Sequence, residues 1–146
     1  MKPSEIRQTI LDEHAHLRRK IATIEAHLMP SLSRVPRWRQ DLQRELEELA
    51  IAFRAHLDSE ELLLRSAIAD VDASGPMRLQ EMEREHAEQR SALSSIMRHP
   101  AADPEYDASL RQFLRILTRD LEEEERDLLG PDVLRDDSIS IDAFGG

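Results

Sequence analysis

Four long stretches of this chain place an apolar residue at every third or fourth position. Near the middle of each, the stripe is interrupted by side chains that can carry charge. The first stripe runs Ile6, Ile10, His14, Leu17, Ile21, Ile24, Leu28, and the second Leu42, Leu46, Leu49, Phe53, His56, Glu60, Leu63, Ala67. The third is Leu79, Met82, His86, Leu93, Ile96, and the fourth Leu110, Phe113, Leu117, Asp120, Glu124, Leu128. This spacing follows one face of an α-helix. A chain built from such stripes buries them by packing helix on helix.

Prolines and glycines mark the boundaries. The first segment runs from about Ser4 to Leu28 and stops at Met29-Pro30. After a linker from Pro30, Pro36 suits the first turn of a second helix reaching about Asp70. Ser74-Gly75-Pro76 opens the third helix, which ends at His99-Pro100, and Asp103-Pro104 reads as an N-cap and first-turn proline for the fourth. Gly130-Pro131 closes it. Short connections between helices of similar length predict an all-α, antiparallel up-down-up-down four-helix bundle over residues 1–130. A short acidic tail, 131–146, follows, with Ile139, Ile141 and Phe144 as docking residues.

Composition removes competing classes. One Trp, one Tyr and three Phe among 146 residues, with four Gly, argue against a β-sandwich or barrel. Cysteine is absent, which excludes disulfide frameworks, thiolate metal sites and cysteine nucleophiles. The net charge of -10 disfavours a nucleic-acid partner. The longest apolar run, Leu49 to Phe53, is far too short to span a membrane, and the charged N-terminus has no signal-peptide core, so the expected location is cytoplasmic.

The interrupting residues carry the chemistry. A single unpaired carboxylate in a bundle core costs several kcal/mol. Here His14, His56, Glu60, His86, Asp120 and Glu124 all fall on core-facing stripes, near mid-helix. A pair of bound cations accounts for all of them, since imidazole and carboxylate suit iron, manganese or zinc. Residues four apart share a helix face, so His56 with Glu60, and Asp120 with Glu124, can each address one site. A weak internal repeat reinforces the pairing. Glu13-His14-Ala15 recurs as Glu85-His86-Ala87, and the segment from His56 to Glu61 aligns with that from Asp120 to Glu125.

With these residues in place, the sequence resembles the hemerythrin-like, HHE cation-binding domain family over roughly residues 4–130. The resemblance rests on the first-helix Glu-His, the second-helix Phe53-x-x-His56-x-x-x-Glu60-Glu61-x-Leu-Leu and the third-helix Glu-His. It implies a non-haem di-iron centre that binds oxygen, nitric oxide or peroxide for sensing or buffering. Residues matching Glu60 and Glu124 would bridge two iron ions, and the histidines would be terminal ligands. A di-iron enzyme that decomposes peroxide or nitric oxide is the alternative, and a metal-free helical interaction module a second one.

The chain departs from the family where Asp120 replaces a histidine and where Met82 or Arg90 stands for a second third-helix histidine. The spacing in the oxygen carriers would select Glu125, whereas the internal repeat selects Glu124. Arg90, if turned inward, would neutralise Asp120 or Glu124 and displace one metal. Glu13 and Glu85 are candidates to support the ligands, while Glu61 and Glu125 are expected at the edge of the site or in solvent. His16 and His27 are expected in solvent, and His99 at a helix end. Exposed bundle faces allow a homodimer, and signalling would need a separate signalling or redox partner.

Overall fold

Pro3 opens the first helix, where its missing N–H leaves no donor unsatisfied. The Glu5 carboxylate accepts a 2.7 Å hydrogen bond from the Lys2 backbone N–H just before it. In a computed structural model the helices are α1 (Pro3–His27), α2 (Trp38–Ile68), α3 (Gly75–Arg98) and α4 (Tyr106–Asp127). The structure describes residues 1–29, 36–68, 73–130 and 133–136. No strand occurs among them. Each helix packs against two neighbours, α1 and α3 both contacting α2 and α4, which is the square arrangement of an up-down-up-down bundle.

Two helix starts differ from expectation. Arg37 adopts a left-handed φ of 66°, so α2 begins at Trp38, two residues after Pro36. Asp103 does not cap α4 directly. Its carboxylate accepts from the Glu105 N–H at 3.0 Å and its carbonyl from Tyr106 N–H, forming a turn that delays the helix to Tyr106. The expected end of the second segment at Asp70 lies outside the described residues, as do Ile139, Ile141 and Phe144.

The buried faces form two apolar clusters. One, built on Leu17, Leu49, Phe53, Leu93, Leu110 and Leu117, fills the end of the bundle near the α3–α4 connection. The other gathers Ile6, Ile10, Leu64, Ile68 and Met82, and Val133 and Leu134 fold back into it beyond α4. Asp136 anchors this return by accepting from the Ser4 N–H at 2.9 Å. Between the two clusters lie the buried His14, His56, Glu60 and His86. On α2 the buried register after Glu60 proceeds to Leu64 and Ile68, leaving Leu63 and Ala67 packed at the margin. On α4, Leu121 rather than Asp120 takes the buried position after Leu117.

Leu110 is fully buried in the cluster remote from this polar layer. Leu110→Ala is expected to cost about 3 kcal/mol in chemical denaturation while preserving the helical far-UV spectrum. A cost below about 1 kcal/mol would show that this cluster does not carry the fold.

Candidate metal centre

Helical geometry brings polar residues from all four stripes to one level. His56 and Glu60, one turn apart on α2, have Nε2 and Oε2 2.8 Å from each other. His14 from α1 approaches the same Glu60 oxygen at 3.6 Å, and its ring meets the His56 ring edge-on with centroids 4.8 Å apart. Glu124 from α4 brings Oε1 to 2.8 Å from His14 Nε2. His14, His56, Glu60 and Glu124 form a group whose ligand atoms all lie within 4.8 Å of one another. From α3, His86 Nε2 lies 3.1 Å from Glu60 Oε1 and 3.6 Å from Glu124 Oε2. Each glutamate therefore turns one oxygen towards His14 and the other towards His86.

The donor atoms fit a cation. His14 Nε2, Glu60 Oε2 and Glu124 Oε1 are buried and have no aligned hydrogen-bond partner, although two of them are only 2.8 Å apart. Buried polar atoms are seldom left so. Close approach without hydrogen-bond alignment is what lone pairs aimed at a common point produce. Imidazole and carboxylate together suit iron, manganese or zinc.

A ring of acidic residues orients the histidines. His56 Nδ1 lies 2.9 Å from Glu13, which also accepts from the Ser59 hydroxyl. His86 Nδ1 lies 2.9 Å from Glu61, and His14 Nδ1 3.3 Å from Glu125. A carboxylate can only accept, so each Nδ1 carries the proton and each Nε2 points inward. Arginines neutralise two of these acids: Arg90 binds Glu61 at 2.9 Å, and Arg18 binds Glu125 at 2.7 Å. Both arginines stand four residues after a site histidine, in equivalent places of the internal repeat. Glu13 thus occupies the supporting place expected of it, while Glu61 and Glu125 are ligand-orienting groups at the edge of the site. The doubled Glu-Glu and the repeated His-x-x-x-Arg were the available signals.

Asp120 is not brought into the group. It accepts from Gln89 Nε2 at 3.1 Å and lies 3.5 Å from Arg119. Arg90 does not reach Asp120; its partners are Glu61 and Asp58. Met82 is sealed in the apolar cluster of Ile6 and Ile10. Glu85 lines a cleft of about 530 Å³ between α3 and α4 together with Gln89, Asp120 and Glu123. Of the remaining histidines, His16 is exposed, His27 is half-buried against the Thr23 carbonyl of its own helix, and His99 pairs with Asp103 at the end of α3.

Without metal, the cluster holds protons. Burial alone would lower the histidine pKa values, but contacts with Glu124 and Glu60 outweigh it and raise His14 and His86 from 6.5 to about 10. His56 is also raised, burial being overcome chiefly by Glu60. For Glu60, burial is outweighed by the neighbouring Glu124 and the three histidines, which hold its carboxyl well below the usual range. Burial and the charge of Glu60 push the Glu124 carboxyl above its usual range.

A four-helix bundle with an imidazole–carboxylate cluster buried across its middle defines a bundle-core metal-binding domain. Residues 5–130 match the hemerythrin HHE cation-binding domain family, and the chain belongs to it. Neither a curated protein nor a solved structure gives a significant match. No helix among the described residues is long and apolar enough to cross a membrane.

The proton-holding state has a testable consequence. His14 and His86 release their protons near 6.5 when unfolded and near 10 when folded, so the folded state binds more protons between those values. Their stabilisation is complete below pH 6.5 and is lost as pH rises towards 10. Glu60 adds stability that is lost in acid, and Glu124 works in the opposite sense there, so the alkaline limb is the clean test. The melting temperature of chelator-treated protein is expected to fall steadily from about pH 7 to pH 10. A flat profile over that range would contradict the assignment.

Proposed function

We propose that the protein is a non-haem dimetal protein, with iron in both positions, that binds a small diatomic molecule or peroxide for sensing or buffering. The observation supporting two metals is the disposition of Glu60 and Glu124, each with one oxygen towards His14 and the other towards His86. That is how a bridging carboxylate would be held. His14, His56, His86 and Asp120 would supply the terminal ligands, and manganese or zinc would suit the same donors. Bound iron would supply an open coordination position with Lewis-acid and redox character.

The chain's own residues do the rest. Glu13, Glu61 and Glu125 fix the imidazole tautomers so that Nε2 is available inward. The apolar clusters on either side exclude bulk water, which strengthens each charge interaction in the layer between them. On metal uptake the protons held by His14 and His86 must leave, so affinity rises with pH. The cleft between α3 and α4 provides an approach for a small ligand on the Asp120 side. The cleft's acidic lining, Glu85, Asp120 and Glu123, also favours a second reading, an enzyme that consumes peroxide or nitric oxide, since these groups can receive and pass protons.

Elemental mass spectrometry after anaerobic loading with ferrous iron tests the metal reading. About two irons per chain are expected, with Glu60→Gln, checked for intact helicity, retaining less than half. A folded wild-type chain that takes up no metal would overturn it. Titration of the loaded protein with nitric oxide or peroxide then separates the readings: a binding protein saturates, whereas an enzyme keeps consuming its substrate.

A further inference from the structure

The internal repeat relates the two halves of the centre, and its imperfections fall on one side. In the first hairpin His56 is held by Glu13, which in turn accepts from the Ser59 hydroxyl, and Leu17 is buried. At the equivalent places the second hairpin has Asp120, Glu85, Glu123 and Gln89. A histidine supported by an acid and a hydroxyl is thus replaced by a carboxylate beside two further carboxylates. The apolar Leu17 is replaced by an amide that donates to that carboxylate at 3.1 Å.

The hydrogen-bond inventory divides the same way. Within the centre, the buried atoms without an aligned partner, His14 Nε2, Glu60 Oε2 and Glu124 Oε1, all face the first half; Asp107 Oδ1, the other such atom among the described residues, lies away from it near the start of α4. On the second half, His86 Nε2 is already hydrogen-bonded to Glu60 Oε1 at 3.1 Å. Receiving a cation in the first half therefore breaks no aligned hydrogen bond of those three atoms. In the second half it must open both the His86–Glu60 and the Gln89–Asp120 contacts.

We propose that Gln89 is a latch that holds Asp120 away from the centre, so that the two halves take up metal unequally. The first ion is held by His14, His56, Glu60 and Glu124. The second is held by His86 and Asp120 with the far oxygens of Glu60 and Glu124, only after Asp120 leaves Gln89. The second position is richer in oxygen donors, so it favours the harder cations, and its Asp120 lines the α3–α4 cleft. This inference rests on the dimetal reading above.

Equilibrium titration of the metal-free full chain with ferrous iron under anaerobic conditions tests it, with stoichiometry and stepwise affinity as the readouts. Wild type is expected to bind in two resolved steps. Gln89→Leu, which restores the residue found in the first half, is expected to strengthen the second step roughly tenfold, the worth of a hydrogen bond to a charged group. The first step should stay within about twofold. Asp120→Asn is expected to abolish the second step and keep the first, which also shows that this variant folds.

A wild type that stops at one iron while Gln89→Leu takes two supports the latch equally. Two steps of indistinguishable affinity in wild type, or a second step unmoved by Gln89→Leu, overturn it while leaving the dimetal reading intact. A wild type that binds no iron overturns the dimetal reading itself.

Discussion

Glu60 has no exposure to solvent and sits among three imidazoles and a second glutamate, in a bundle whose other interior contacts are almost wholly apolar. Such a group is tolerated only if its charge is answered on every side, since a buried ion left without its partner costs about 3–5 kcal/mol. Protons on His14 and His86 supply that answer in the metal-free chain. A cation can replace them with the same donor atoms. Under the dimetal proposal, metal would take the place of these protons at the same atoms.

The rest of the bundle supports that exchange. Two apolar clusters, one on each side of the polar layer, carry most of the packing. Outside the ligands, Glu13, Glu61 and Glu125 hold the imidazoles in one tautomer, and Arg18 and Arg90 keep two of these acids charged. The support is cross-helix in every case: α1 orients a histidine on α2, α2 one on α3, and α4 one on α1. Fixing imidazole orientation therefore also fixes the relative rotation of neighbouring helices, so metal affinity, under the dimetal proposal, would be linked to packing.

Much of this was readable from the chain alone, for definite reasons. Helix number and order followed from stripes such as Ile6 to Leu28 and from the prolines between them. The histidines were readable because a titratable residue within an apolar stripe is buried with it, and burial demands a partner. The outer acids were harder to place. Glu61 and Glu125 lie one residue beyond an inward glutamate, and only the approach of the neighbouring helix decides that they meet an imidazole rather than water. Asp120 shows a second limit. Leu117 can be followed by a residue three or four positions on, and burial of Leu121 takes that place, leaving the aspartate to Gln89. The Arg18 and Arg90 pairings were encoded in the repeat, yet become meaningful only once Glu125 and Glu61 are seen between arginine and histidine.

Convergence of the partnerless buried atoms on a metal is tested most directly by anomalous diffraction at the iron edge, from crystals of the iron-loaded protein. A peak is expected in the bundle core about 2.0–2.3 Å from His14 Nε2, His56 Nε2, Glu60 Oε2 and Glu124 Oε1. Iron found only at surface carboxylates, with the core cluster still holding its protons, would contradict it.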